Sequence, residues 1–243
     1  MTPEQFASLS AEGYNRIPVS REVLADLDTP LSTYMKLAQQ PYSYLLESVQ
    51  GGEKWGRYSI IGLPSSERIE VQGYDFKLFR NNQLVSSETV TDPLAAVEAF
   101  QAQYKVAPLP DQPRFTGGLV GYFGHDTIRY IEPSLNNPEA AARMADPLKV
   151  PDILLMVSED VVVFDNLSGK LLLITHANPA DTDALEKAQQ KLELLEVKLR
   201  TATLNTTICG QGFVSIFRTI FTLTFNFFIY RAHSLESKDL SLK

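Results

Sequence analysis

Three β-rich runs, residues 153–158, 161–165 and 171–176, follow one another with only Glu159-Asp and Asn166-Leu-Ser-Gly between them. Connections that short cannot return a strand to a parallel start, because a parallel crossover takes about a dozen residues or more. The spacing therefore predicts antiparallel pairing, read as a meander over residues 153–176. Five more runs, at 42–49, 57–61, 68–71, 75–80 and 118–123, have the same β-rich character. Strands that come in blocks, rather than in strict alternation with helices, predict an α+β fold: layered antiparallel sheet covered by helices.

The helices announce themselves by their starts. Thr2-Pro-Glu-Gln carries a capping residue, a proline suited to the first turn and a glutamine that completes a capping box. Asp28-Thr-Pro precedes Leu31, Tyr34, Met35 and Ala38 at helical spacing, and Asp92-Pro precedes Leu94, Val97 and Phe100. After Asn178-Pro-Ala-Asp, the apolar series Leu185, Ala188, Leu192, Leu195 and Leu199 marks the clearest amphipathic helix in the chain. Residues 133–151, rich in proline, asparagine and alanine, read as a surface connection.

Charge and cysteine usage narrow the function classes. The 243 residues hold 22 basic and 29 acidic side chains, a net charge of −7, so no basic face is available for phosphate contacts and nucleic acid is not an expected partner. One cysteine, Cys209, and three scattered histidines exclude a disulfide framework and a zinc site of ordinary spacing, which points to a reducing, cytoplasmic setting. The N-terminus shows no basic region followed by an apolar run, so no secretory signal is expected there. The charge is unevenly spread. Residues 201–243 hold four basic and two acidic residues and six of the 13 phenylalanines, so the first 200 residues carry −9. A boundary is expected near Arg200, with 1–200 as the folded domain and 201–243 as an anomalous apolar tail outside it. Within the tail, residues 213–230 approach the minimum length of a membrane span, but Arg218 and Asn226 argue against insertion, so no membrane association is expected.

Most catalytic signatures are missing from the sequence: there is no Gly-x-Ser-x-Gly elbow, no phosphate loop and no His-Glu-x-x-His. Gly117-Gly-Leu-Val-Gly-Tyr-Phe-Gly has the glycine density of a nucleotide loop, but its spacing is wrong and its apolar residues read as a strand with close backbone approaches. His125-Asp126 reads as a turn rather than an acid–base pair. Residues 42–62 are more informative. A β-rich run ends in Glu47-Ser48, crosses a glycine loop and resumes with Arg57 and Ser59. A carboxylate, two hydroxyls and a guanidinium beside apolar walls suit a zwitterion, with Glu47 facing an ammonium and Ser48, Arg57 or backbone N–H groups facing a carboxylate. The plainer alternative is a hairpin whose Glu47 and Arg57 form a solvated ion pair.

Gly13-Tyr-Asn-Arg-Ile-Pro, Asp28-Thr-Pro-Leu-Ser-Thr-Tyr, the run from Tyr44-Leu-Leu-Glu-Ser-Val-Gln-Gly-Gly to Gly56-Arg-Tyr-Ser-Ile-Ile-Gly, the Gly117 segment and Val161-Val-Val-Phe-Asp-Asn together resemble the N-terminal region of anthranilate synthase component I, over about residues 4–200. The resemblance implies helices layered on antiparallel sheets. It also implies that Leu46, Glu47 and Ser48 belong to a feedback site for L-tryptophan, to which proximity adds Val49 and Arg57. The family converts chorismate, with ammonia from a glutamine amidotransferase component II, to anthranilate and pyruvate. The acidic Mg²⁺ motifs, the substrate-clamping arginines and the second half of the tryptophan pocket have no counterpart in these residues. No cofactor is therefore expected here, Mg²⁺ belonging to the catalytic domain, and this chain alone is expected to be inactive. After Arg200 the likeness stops, and the tail resembles a shifted reading frame or an unrelated fusion. A non-enzymatic binding module on the same fold is the alternative of a different class, and a fragment of a sibling such as aminodeoxychorismate synthase is the lesser one.

Overall fold

The computed structural model describes residues 1–25, 27–47, 57–109, 113–135, 150–203 and 229–230. Ser48, Val49, most of the 133–151 connection and nearly all of the tail lie outside the described residues.

Helix α1 (Pro3–Ala11) opens on the expected capping box, with Thr2 and Gln5 each bonding the other's backbone N–H. Strand β1 (Ile17–Leu24) follows, then α2 (Pro30–Leu37), whose cap is Thr29 paired with Ser32 rather than Asp28. Asp28 instead accepts from Ser32 and from Lys36, the latter at 2.7 Å. Strands β2 (Tyr44–Leu46), β3 (Tyr58–Gly62), β4 (Glu67–Gln72), β5 (Asp75–Arg80) and β6 (Gln83–Thr89) lead to α3 (Pro93–Gln101), capped by the Asp92 carboxylate. Strand β7 (Gly118–Phe123) precedes the short α4 (Ile128–Ile131). Strands β8 (Ile153–Ser158), β9 (Asp160–Asp165) and β10 (Lys170–Ala177) run into α5 (Ala184–Thr201), and β11 (Ile229–Tyr230) is a two-residue strand of the tail.

These strands form two antiparallel sheets, ordered β1-β10-β9-β3-β2 and β11-β7-β8-β4-β5-β6, and the α+β expectation holds. One expectation is corrected. Strands β8, β9 and β10 are not one meander: β8 pairs with β7 and β4, whereas β9 pairs with β10 and β3. Only Glu159 separates β8 from β9, and a hairpin needs about two turn residues, so the chain bends there and passes from one sheet to the other. The β9–β10 hairpin forms as expected. Strands β1 and β6, which the sequence reading left out, are edge strands, and an edge position tolerates Pro18 within β1.

The packing forms layers. On one face of the first sheet Val23, Ile61, Val162, Leu171 and Leu173 pack with Leu37 of α2 and with Ala188, Leu192 and Leu199 of α5. On the far face of the second sheet Ile69, Val71, Ile153 and Leu155 pack with Val97 and Phe100 of α3. Between the sheets lie Tyr44, Val120, Met156, Val161, Val163 and Ile174.

Candidate effector site

The site is built on β2, the short edge strand of the first sheet. Ser43 donates to the Gln40 carbonyl at 2.7 Å and shares a 3.0 Å hydrogen bond with the Tyr34 hydroxyl, which fixes the approach from α2. Tyr42 then takes a left-handed backbone, φ 60°, an unfavourable conformation for a bulky residue that surrounding contacts must hold. Two contacts do so. Its carbonyl accepts from Ser65 N–H at 3.0 Å, and its ring lies 4.2 Å from the guanidinium carbon of Arg68 on β4. Arg68 is buried, stacked on its other side against Phe79 at 4.3 Å, and it donates to Glu70 and Asn82 at 2.7 and 2.9 Å.

Along β2 the side chains alternate. Leu45 joins the core under the helices, while Tyr44 and Leu46 face the second sheet. Tyr44 is buried, packs over Gly62, where a Cβ would collide with its ring, and shares a 2.8 Å hydrogen bond with the Ser158 hydroxyl. Burial holds the Tyr44 hydroxyl well above the usual phenol range, the Ser158 bond offsetting only part of this.

Leu46 begins an apolar row that crosses the sheet by register: Leu46 opposite Ile60, Ile60 opposite Val163, Val163 opposite Leu172. Val163 is buried, but Leu46, Ile60 and Leu172 are half-buried, as is Leu154 on the facing sheet. The inter-sheet space is thus closed at the Tyr44 level and partly open at the Leu46 level. Glu47, the residue after the strand, is exposed at that opening.

Arg57 does not pair with Glu47. Its Nε and Nη2 donate to both oxygens of Asp165, the shortest distance being 2.7 Å, and its guanidinium also lies 4.9 Å from the Tyr58 ring. The expected solvated Glu47–Arg57 pair is therefore replaced by Arg57–Asp165, because β9 brings a carboxylate that already caps the Leu167 and Ser168 N–H groups next to the start of β3. That hydrogen bonding raises the Arg57 pKa and holds the Asp165 carboxyl below the usual carboxylate range. Ser59 is buried and accepts from Asn166 at 3.2 Å.

The remaining motifs resolve structurally. The glycine-rich segment is β7, and a Cβ at Gly121 would strike the Leu154 backbone, so the glycine permits close strand approach. His125 is exposed in a single 3₁₀ turn, and Asp126 accepts from Arg129 at 3.0 Å. Two recesses went unmarked by the sequence. A cavity of about 30 Å³ at the sheet switch is lined by Arg16, Tyr104, Gly117, Ser158, Glu159 and His176. An open recess of about 740 Å³ lies between the ends of α1 and α3, among Glu12, Tyr14, Glu98, Tyr104 and Lys105. The sequence gives no functional signal for Arg68 or Ser158, whereas Tyr42 and Tyr44 lie inside the informative stretch 42–62 that could have flagged them. Among the described residues no cluster of three metal-ligating side chains occurs, and no helix is long and apolar enough to cross a membrane.

No family model matches the chain. Anthranilate synthase component 1 from Pseudomonas putida is 57% identical over 203 residues, covering 82% of this chain and 40% of that protein. The protein of the same name from Neisseria meningitidis serogroup C is 48% identical over 200 residues, and that from Acetivibrio thermocellus 36% over 202, covering 82% and 80% of this chain. A crystal structure of anthranilate synthase component I from Streptococcus pneumoniae aligns at TM-score 0.46 and 25% identity, covering 75% of this chain and 37% of that one. The chain thus spans about 40% of the length of the curated relatives it matches. With more than half its residues identical to the Pseudomonas putida relative over four fifths of its length, and with Tyr44-Leu-Leu on the edge strand of one of its two antiparallel sheets, the chain belongs to the anthranilate synthase component I family.

Proposed function

We propose that this chain carries the L-tryptophan-binding regulatory part of anthranilate synthase component I, with Leu46, Glu47, Ser48 and Val49 forming one wall of the effector pocket. The observation that carries this reading is the half-open apolar row Leu46–Ile60–Leu172 with the exposed carboxylate of Glu47 at its end. An amino acid with a large aromatic side chain needs those two features side by side: apolar surface for the indole, and a carboxylate for the ammonium. Ser48 offers a hydroxyl to the ligand carboxylate. Arg57 has its Nε and Nη2 engaged by Asp165 and serves the site by fixing the start of β3.

The family's reaction, chorismate with glutamine-derived ammonia giving anthranilate and pyruvate, is assigned to the portion of the relatives that this chain does not span. Mg²⁺ and the docking of component II go with that whole enzyme. No residue described here is given a catalytic step. Feedback inhibition requires that the effector bind one state of the enzyme better than another, so this part acts on turnover only through contacts that differ between states.

Joining residues 1–200 to the remaining portion of the Pseudomonas putida relative tests the reading. Tryptophan is expected to inhibit that chimera. Ser48→Phe, which fills the ligand's space away from the chemistry, is expected to abolish inhibition while chorismate turnover stays nearly unchanged. Inhibition that persists at the original tryptophan concentration removes Ser48 from the site.

A further inference from the structure

The effector segment is attached to its own sheet by only three register pairs, Tyr44 with Gly62, Leu45 with Ile61 and Leu46 with Ile60. So short an edge strand is weakly held by its ladder alone. Two side chains nevertheless tie it to the opposite sheet. Tyr42 is stacked on the buried Arg68 of β4, and the Tyr44 hydroxyl is bonded at 2.8 Å to Ser158, the last residue of β8. Ser158 directly precedes Glu159, where the chain changes sheets. A displacement of Leu46 and Glu47 is therefore felt two residues away, at a buried polar contact on the second sheet.

We propose that Tyr44 and Arg68 are positioning residues of the effector site, setting where Leu46 and Glu47 stand relative to the second sheet and coupling effector occupancy to the β8–β9 switch through Ser158. The assignment rests on the tryptophan reading of this site for its ligand, and on geometry alone for its mechanics. Tyr44→Phe removes one hydroxyl and keeps the ring over Gly62. Arg68→Lys keeps the charge but loses the planar group that lies between two rings. Neither residue touches the ligand in this account.

The test uses the full 243-residue chain and two measurements. Hydrogen exchange without ligand reads the strand: both variants are expected to raise exchange at the amides of residues 44–46 about five- to tenfold, the scale of one lost hydrogen bond, with Val162 and Leu173 unchanged. NMR titration with L-tryptophan reads the site, and both variants are expected to weaken binding by a similar factor. Val97→Ala, in the separate core beneath α3, controls for general destabilisation and is expected to move neither readout. Unchanged exchange at residues 44–46 in Tyr44→Phe overturns the positioning role whatever tryptophan does. An equal rise in Val97→Ala overturns it too, by making the effect global. Raised exchange in a chain whose unmutated form shows no tryptophan-specific shifts supports the positioning role and overturns the tryptophan reading, so the two failures are distinct.

Discussion

Asp165 accepts from both Nε and Nη2 of Arg57 where β9 lies beside the start of β3, and the pair closes the end of the β3–β9 ladder. Because Asp165 has a folded pKa below its ordinary value of 3.8, its stabilising contribution is complete above that value and is lost as pH falls through the lower folded one. Chemical unfolding between about pH 5 and pH 2 should show this acid limb, and Asp165→Asn should flatten it. An unchanged slope in the variant would mean that the bond contributes nothing in solution, the usual fate of exposed pairs.

His176 gives a second pH dependence, set by a different group. Its ring is half-buried beside the sheet switch, with Nδ1–H donating to the Glu159 carbonyl at 2.8 Å, and desolvation there holds its pKa below 6.5. Below that ordinary value the unfolded chain takes up a proton that the folded chain refuses, so stability falls as pH drops from 6.5 towards the folded value. His176→Gln should remove this component of the slope. A variant that keeps the whole slope would place the titration elsewhere.

Helix α5 supplies the third prediction by contrast within one turn. Leu192 is 2% exposed against the first sheet and Leu194 is 68% exposed. Leu192→Ala is expected to cost about 2–5 kcal/mol, whereas Leu194→Ala should stay within about 0.5 kcal/mol of the parent. Equal costs, read by urea unfolding, would mean that the helix sits on a different face.

The tail supplies the fourth. Beyond the end of α5 at Thr201 and Ala202, its described residues include Ile229 and Tyr230, which pair with Val120 and Leu119 of β7. A chain ending at residue 203 is expected to keep one cooperative thermal transition and to be more soluble, since residues 213–230 combine high β-propensity with a single charge. Loss of cooperativity on truncation would show that the domain boundary lies further along.

What was legible in the sequence follows from how local the causes are. Thr2 with Gln5, Asp92 with its proline, and the Leu185–Leu199 series specify helices through contacts within a few residues, and these were read correctly. Strand pairing is not local. The run from Ile153 to His176 named its strands and the β9–β10 pairing correctly, but not the β8–β9 pairing, because Glu159-Asp160 is a turn on paper and a change of sheet in space. The site behaved likewise. Leu46 and Glu47 were visible as a motif, but Arg57 found Asp165, 108 positions away, instead of Glu47. Arg68, ordinary in a charged strand, is notable only once Tyr42 and Phe79 flank it.

The central claim is that tryptophan binds where β2 ends, and one ¹H–¹⁵N NMR titration of the 243-residue chain tests it. A pocket with one wall leaves the indole partly in water, so binding should be weak, with a dissociation constant of about 1 mM or more, near −4 kcal/mol. Saturable shifts are expected at residues 44–48, Ile60 and Leu172, reaching Ser158 through the Tyr44 hydroxyl, absent with D-tryptophan and abolished by Ser48→Phe. Shifts that map instead to the recess between α1 and α3, or that persist in Ser48→Phe, would contradict the claim.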